Sequence, residues 1–432
     1  MIRYLGLPLS SGPIPKSSMQ SLVDAVAKKL PVCHGPLMSR SGRLVWIKSV
    51  LSAMPIFAMM ANKLPTWVKK DIDSICRKFF WAGSDSSVRG KCLVTWPVVS
   101  KPTEFGGLGV LDLKLFNVAL QTRWLWLQRA DENRVWTGLP IKVAAEVRAF
   151  FEASITIKVS NGCRTLFWRD KWLDGEAISM IAPDLFAVIP RRTSSSLTVA
   201  EGLLGRSWIR GIAGGLSVTI LVQYLSLWER LEHEHLREEE NDTVVWKWSE
   251  NGVYTASSAY SALQLGSQRF PGHELIWSSW LPLRVRIFLW LAHRHRLWTA
   301  DRRRKRGLDA RELCWLCNRR PESCFHLLVE CRLTTIIWEV LFARAGLAVL
   351  AVAGCRRILD WWQKIRECWP PQRRKGVDTL FGLVCWIVWK ERNTCCFNGD
   401  HPSFGRTLSA VRDLSKLWVL GGAVKLGELG LL

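Results

Sequence analysis

Cys314, Cys317, His326 and Cys331 constrain this chain more than any other four residues. They read Cys-x2-Cys-x8-His-x4-Cys. That spacing lets three thiolates and one imidazole close a tetrahedron around Zn²⁺. The two-residue gap aims the sulfurs of Cys314 and Cys317 at one point. His326 fits a helix start, with Cys331 about a turn later. A site closed by four protein ligands is structural, and closing it supplies on the order of 10 kcal/mol to local folding. Cys324 is a rival fourth ligand, giving a four-cysteine set without His326.

Charge points to the partner. The chain carries 60 Lys and Arg against 37 Asp and Glu, a formal +23 over 432 residues. Such a field attracts polyanions over long range. Between Arg284 and Arg320 there are twelve Lys and Arg against three acidic residues. Arg284, Arg286, Arg294, Arg296, Arg302, Arg303, Arg304, Lys305 and Arg306 are the candidate nucleic-acid contacts, because cations neutralise phosphates. Trp290, Trp298 and Trp315 are interleaved, and exposed aromatics can stack on unpaired bases. Most of these tryptophans belong to the core, since Trp290 sits in the apolar run 287–291. Residues 302–306 also fit a nuclear import signal. His293 and His295 read as surface or phosphate-facing.

Thirteen cysteines without a dense framework, and a start that lacks a signal peptide, favour a reducing compartment. The expected location is nuclear, otherwise cytoplasmic, and not secreted. Residues 44–68 and 211–228 are apolar but broken by charge, proline or glycine. Residues 211–228 read as a buried helix after a glycine turn, so no membrane partner is expected. The acidic run 229–242, with His233 and His235, reads as a solvated helix.

The remaining pattern is mainly helical. Ser39 caps a segment over 39–62 that Pro55 divides. Thr66 caps a second helix, whose stripe is Val68, Ile72, Ile75 and Phe79. Residues 113–128 and 257–265 continue the helical character. A Ser/Gly loop spans Gly83 to Gly90. Gly106-Gly107-Leu108-Gly109 is tight-turn chemistry, since it lacks dinucleotide-loop or P-loop spacing. Two β-hairpins are expected. One joins 155–159 to 165–168 through Asn161-Gly162, and the other joins 243–248 to 253–255 through Asn251-Gly252. Polymerase chemistry needs paired carboxylates holding two metal ions. No two aspartates are adjacent, and none of the four tyrosines begins Tyr-x-Asp-Asp. No catalytic residue is assigned.

The residues as a set resemble the C-terminal part of plant LINE-type (non-LTR) retrotransposon reverse transcriptases. The stretch from Asp242 through Trp338 resembles their zinc-binding domain. Its landmarks include Trp246, Trp248, Gly252-Val253-Tyr254, Trp277, Trp280, Phe288, Trp290, Glu322 and the four candidate ligands. Ser41-Gly42-Arg43-Leu44, Phe79-Phe80-Trp81, Trp168-Arg169-Asp170-Lys171-Trp172 and Trp386 through Asn393 fit the same family, as does Tyr4 through Leu9. The resemblance implies four stretches: 1–135, a thumb-like helical region after a missing polymerase palm; 136–240, a connector with a hairpin near 155–170; 241–345, the zinc-binding domain; and 346–432, a C-terminal helical region. The expected fold is thus mainly α with small β-hairpins and a Cys3His zinc knot. The expected function is binding of RNA or DNA with structural Zn²⁺ and no polymerase activity of its own. A separate palm or another element-encoded protein is a further expected partner. The alternative is a structural or interaction module, or a relic of a transposable element.

Overall fold

The computed structural model describes residues 15–31, 35–84, 92–131, 134–212, 215, 217–237, 239–347, 352 and 354–431, with the backbone of 2–4 and 7–9. It is mainly helical with short strands, as the hydrophobic periodicity requires. The chain divides into two compact units. One comprises 1–55, 66–112 and 267–432; the other comprises 56–65 and 113–266.

The first unit is built around the helix Arg374–Asn398. Its sequence is apolar on nearly every face, and a helix of that kind must be surrounded. The helices Leu283–His293, Ile358–Glu367 and Phe404–Leu420 pack on it. Gly376 is required there, because a Cβ would lie 2.0 Å from the Lys425 carbonyl oxygen. Trp362 stacks on Phe381 at 4.3 Å, and Trp338 stacks on the same ring at 5.9 Å.

The expected cap at Ser39 is present, whereas Thr66 is itself the first residue of its helix. Ser39 Oγ accepts from Gly42 N, and Arg40–Trp46 is helical. A π turn follows at Ile47–Leu51, and the next helix, Ile56–Ala61, begins after Pro55. Thr66–Ala82 buries Val68, Ile72, Ile75 and Phe79. Arg43 of the Ser-Gly-Arg-Leu motif is buried and donates to the carbonyls of Gly35, Pro36 and Phe80, which ties these segments together. The Gly106-Gly107 turn is structural, as expected. A Cβ on Gly107 would meet the Lys101 carbonyl oxygen at 1.8 Å. The Gly106 carbonyl in turn accepts from Trp290 Nε1 at 2.8 Å.

The second unit has two aromatic clusters. One gathers Trp126, Trp246 and Tyr254 beneath the helices Leu113–Ala130 and Ala145–Ser154. The other gathers Phe167, Trp168, Trp172 and Trp208 beside the helix Val218–Glu232.

Neither expected hairpin forms. The strand Ile155–Lys158 pairs antiparallel with Thr243–Trp246, with Ile155 opposite Trp246 and Lys158 opposite Thr243. The turn at Asn161-Gly162 is real, with Gly162 at φ +68°. It leads, however, into a loop wrapped on the Asp242 carboxylate. One Asp242 oxygen accepts from Ser160 N (2.8 Å) and Gly162 N (2.9 Å). The other accepts from Thr165 Oγ1 (2.7 Å) and Arg164 N (3.3 Å). A side chain thus supplies the acceptors that a returning strand would have supplied.

The expected buried helix within 211–228 is Val218–Glu232, and it is not buried throughout. Ile220, Leu227 and Leu231 face the core, whereas Val218, Leu221, Val222 and Leu225 are exposed. Residues 213, 214 and 216 of its expected glycine turn lie outside the described residues. So does the Ser/Gly loop beyond Ser84. The helix ends at Glu232, so the acidic run is not helical beyond that point, although His233 and His235 are solvent-exposed as expected.

Candidate metal centre and the cationic face

The candidate ligands sit on two adjoining turns. Cys314 N donates to the Arg320 carbonyl at 2.9 Å, and Asn318 N to the Cys314 carbonyl at 2.9 Å, closing a tight knuckle. Asn318 takes the left-handed conformation (φ +50°) that such a reversal demands and that asparagine tolerates. Leu316 N points at Cys314 Sγ (3.4 Å). On the other side, Ser323 Oγ accepts from His326 N (3.0 Å) and starts a π turn over His326–Glu330. The widened turn closes with Cys331 N donating to the His326 carbonyl (2.7 Å), and Cys331 is the N-cap of the helix Arg332–Arg344. His326 and Cys331 thus lie at the two ends of one turn, as their spacing suggested.

The four ligand atoms all lie within 4.8 Å of one another. Cys314 Sγ and Cys331 Sγ are 4.0 Å apart, and Cys317 Sγ is 3.3 Å from His326 Nε2. Sulfurs at about 2.3 Å from Zn²⁺ in a tetrahedron stand about 3.8 Å apart, so the set fits the ion with little adjustment. His326 Nδ1 is buried without a hydrogen-bond partner and lies 3.9 Å from the Glu330 carboxylate. A hydrogen bond from Nδ1 to a carboxylate would fix the tautomer that leaves Nε2 free to ligate.

Proton affinities agree with that chemistry. The Cys331 thiol, donating toward Cys314, pulls the Cys314 thiol down to about 4, although burial opposes this and His326 assists. Cys331 is pushed up by the same contact. Two thiolates this close hold one proton between them unless a cation replaces it. Cys324 is not in the group. Its sulfur faces the Ala292 carbonyl (3.6 Å) in the apolar interior, where burial pushes its thiol up. Among the described residues, the Cys3His set is the one convergent group of three or more possible ligands.

Burial sorts the nine candidate cations. Arg302 is 6% exposed; it donates to the His295 carbonyl (3.0 Å) and lies 5.2 Å from the Trp298 ring. Arg286 donates to the Ser279 carbonyl (2.9 Å). Arg294 donates to the Gly106 carbonyl and lies 5.3 Å from the Trp290 ring. Arg303 is half-buried. Arg284, Arg296, Arg304, Lys305 and Arg306 face solvent, and Arg304 lies 3.7 Å from Glu312. His293 differs from its expectation. It is half-buried against Phe270 (4.7 Å), and burial, with Arg294, His295 and Arg357 nearby, pushes it down to about 4. It is therefore neutral at pH 7 and brings no charge to a phosphate. His295 is exposed. Trp290 is fully buried, whereas Trp298 and Trp315 are half-buried.

Two functional features were not read from the sequence. Glu322 and Arg392 form a fully buried, two-pronged ion pair with distances of 2.6–3.1 Å, and Ala300 N donates to the same carboxylate at 2.9 Å. The pair fastens the segment between the ligand pairs to the long helix. Both residues stood within motifs of the family resemblance, which was the available signal. The other feature is an aromatic cavity flanked by Trp298, Trp386 and Trp389.

Among the described residues, no helix is long and apolar enough to cross a membrane. Residues 254–338 match the family model described as zinc-binding in reverse transcriptase. The chain is also 26% identical over 427 residues to a protein of Arabidopsis thaliana named "Putative ribonuclease H protein". That alignment covers 89% of this chain and 65% of the relative, so the chain spans less than two thirds of the protein it matches. What these similarities establish is a reverse-transcriptase-type zinc-binding region whose Cys3His group has the geometry to hold a metal ion.

Proposed function

We propose that this chain is a nucleic-acid-binding portion of a LINE-type (non-LTR) retrotransposon reverse transcriptase, acting through a zinc-braced cationic face. The observation that carries the reading is the convergence of Cys314, Cys317, His326 and Cys331 inside the matched stretch, directly after the exposed cations Arg304, Lys305 and Arg306. Zn²⁺ has a structural role, because all four positions of its tetrahedron come from the protein. Polymerase and ribonuclease H chemistry belong to parts of the element other than this chain. Both use clustered carboxylates holding two metal ions, and this chain is assigned the binding part only. The four-stretch division, nuclear location and plant origin follow from the same resemblance.

The test is metal analysis with oligonucleotide binding on the full chain. One zinc per chain is expected, and Cys314→Ser with Cys317→Ser should release it and weaken binding. Full retention of zinc in that variant would refute the ligand assignment. A second reading, a protein-interaction module, is favoured by the exposed stripe Val218, Leu221, Val222 and Leu225, which lies at helical spacing. Reversing the charge at Arg304, Lys305 and Arg306 separates the two. Loss of oligonucleotide binding supports the first reading, and unchanged binding supports the second.

A further inference from the structure

We propose that the tryptophan-lined cavity of the first unit takes one unpaired nucleobase of a single-stranded nucleic acid, with the neighbouring phosphates held by Arg40, Arg284 and Arg296. The inference rests on the nucleic-acid reading above and narrows it to a strand with a displaced base.

The cavity measures about 400 Å³, within the range of small-ligand pockets (about 300–1,000 Å³). Trp386 and Trp389 enter it from the helix Arg374–Asn398, and Trp298 enters from the turn before the helix Ala300–Lys305. Phe288 backs both helix tryptophans, at 5.3 Å and 6.0 Å between ring centres. These indoles are half-buried, unlike the fully buried Trp290 and Trp338 of the same unit. Flat aromatic walls with little polar lining suit the face of a base, and stacking of this kind is tolerant of sequence because every base has a π-face.

The cations decide between a base and an apolar side chain from another protein. Among the described residues, no carboxylate lies within ion-pair distance of Arg40, Arg284 or Arg296. By contrast, the nearby Arg392 is fully paired with Glu322. A protein side chain would leave three guanidinium groups without counter-charge, whereas a nucleic-acid strand brings one phosphate per nucleotide. Arg296 also lines a second, more polar cavity of about 490 Å³ together with Arg294 and Arg306. The strand beyond the bound base therefore has a cationic path to follow. A duplex cannot offer its base to the cavity without paying for unstacking and unpairing.

The experiment uses the full, zinc-loaded chain. Binding of one short oligonucleotide is measured by fluorescence anisotropy in single-stranded DNA, single-stranded RNA and duplex forms. Trp298→Leu and Trp386→Leu should each weaken single-strand binding roughly tenfold and leave duplex binding and zinc content unchanged. The DNA and RNA arms show which strand the cavity accepts. With wild-type protein, a strand carrying 5-iodouracil should cross-link under ultraviolet light to the peptides containing Trp298, Trp386 or Trp389. Cross-links confined to other peptides, or an equal loss of duplex and single-strand binding in the variants, would overturn the proposal while leaving charge-driven binding intact. Failure of the wild-type chain to bind any of the three forms would overturn both.

Discussion

Glu322 and Arg392 show how a single buried charge commits its neighbours. Both are almost completely enclosed, so removing one leaves the other without solvent or counter-ion. Arg392→Met is expected to cost about 3–5 kcal/mol, whereas Glu322→Gln combined with Arg392→Met should cost clearly less, because neither charge is stranded. Urea denaturation of the three proteins checks this order. The same consideration explains what the sequence could not show at residue scale. Nine basic residues look alike in a linear reading. Arg286, Arg294 and Arg302 are set apart by the carbonyls of Ser279, Gly106 and His295, and only folding decides which carbonyl faces which guanidinium. The metal ligands were legible because their spacing is itself the chemistry. The spacing favoured His326 with Cys324 as its rival, and the converging atoms include those of His326, while the buried Cys324 sulfur faces the Ala292 carbonyl.

At the scale of elements, local signals and distant partners part company. Helix starts at Ser39 and Thr66 and the breaks at Pro55 and Gly106 are written in a few adjacent residues, and the structure follows them. The strand Ile155–Lys158 was legible as a strand, but its partner lies more than eighty residues away, and alternation carries no address. The loop that replaces the hairpin depends on Asp242. Burial raises the proton affinity of that carboxyl, but hydrogen bonds from Ser160, Thr165, Gly162 and Arg164 outweigh burial and hold it below the usual carboxylate range. A lowered folded-state pKa means stability that is fully present above the unfolded value, about pH 4, and lost as pH falls from there through the lower folded value. Asp242→Ala should therefore destabilise the second unit by about 2 kcal/mol at pH 7. The gap between wild type and variant should narrow as pH falls below the usual carboxylate range, in denaturation curves followed by tryptophan fluorescence. The helix Val218–Glu232 was legible as a helix, but its burial was not, because an apolar stripe looks the same whether or not another surface covers it.

For the molecule as a whole, charge is the property that the sequence conveys best. If the solvent-facing Arg284, Arg296, Arg304, Lys305 and Arg306 each neutralise one phosphate, the logarithm of the binding constant should fall with the logarithm of salt concentration. The expected slope is about −3.5 on single strands and about −4.5 on duplex. A slope near zero in the same titration would remove these residues from the interface. What composition cannot convey is that the two compact units are interleaved along the chain. The helix Arg374–Asn398 lies well past the zinc-binding match at 254–338, yet it supplies the arginine that neutralises Glu322 within that match. During synthesis the ribosome releases the knuckle long before this arginine emerges from the exit tunnel. Until then Glu322 lacks the counter-charge that it has in the folded protein. A segment trimmed to the family match would lack Arg392 altogether, so a preparation meant for crystallography or screening should extend past Leu420.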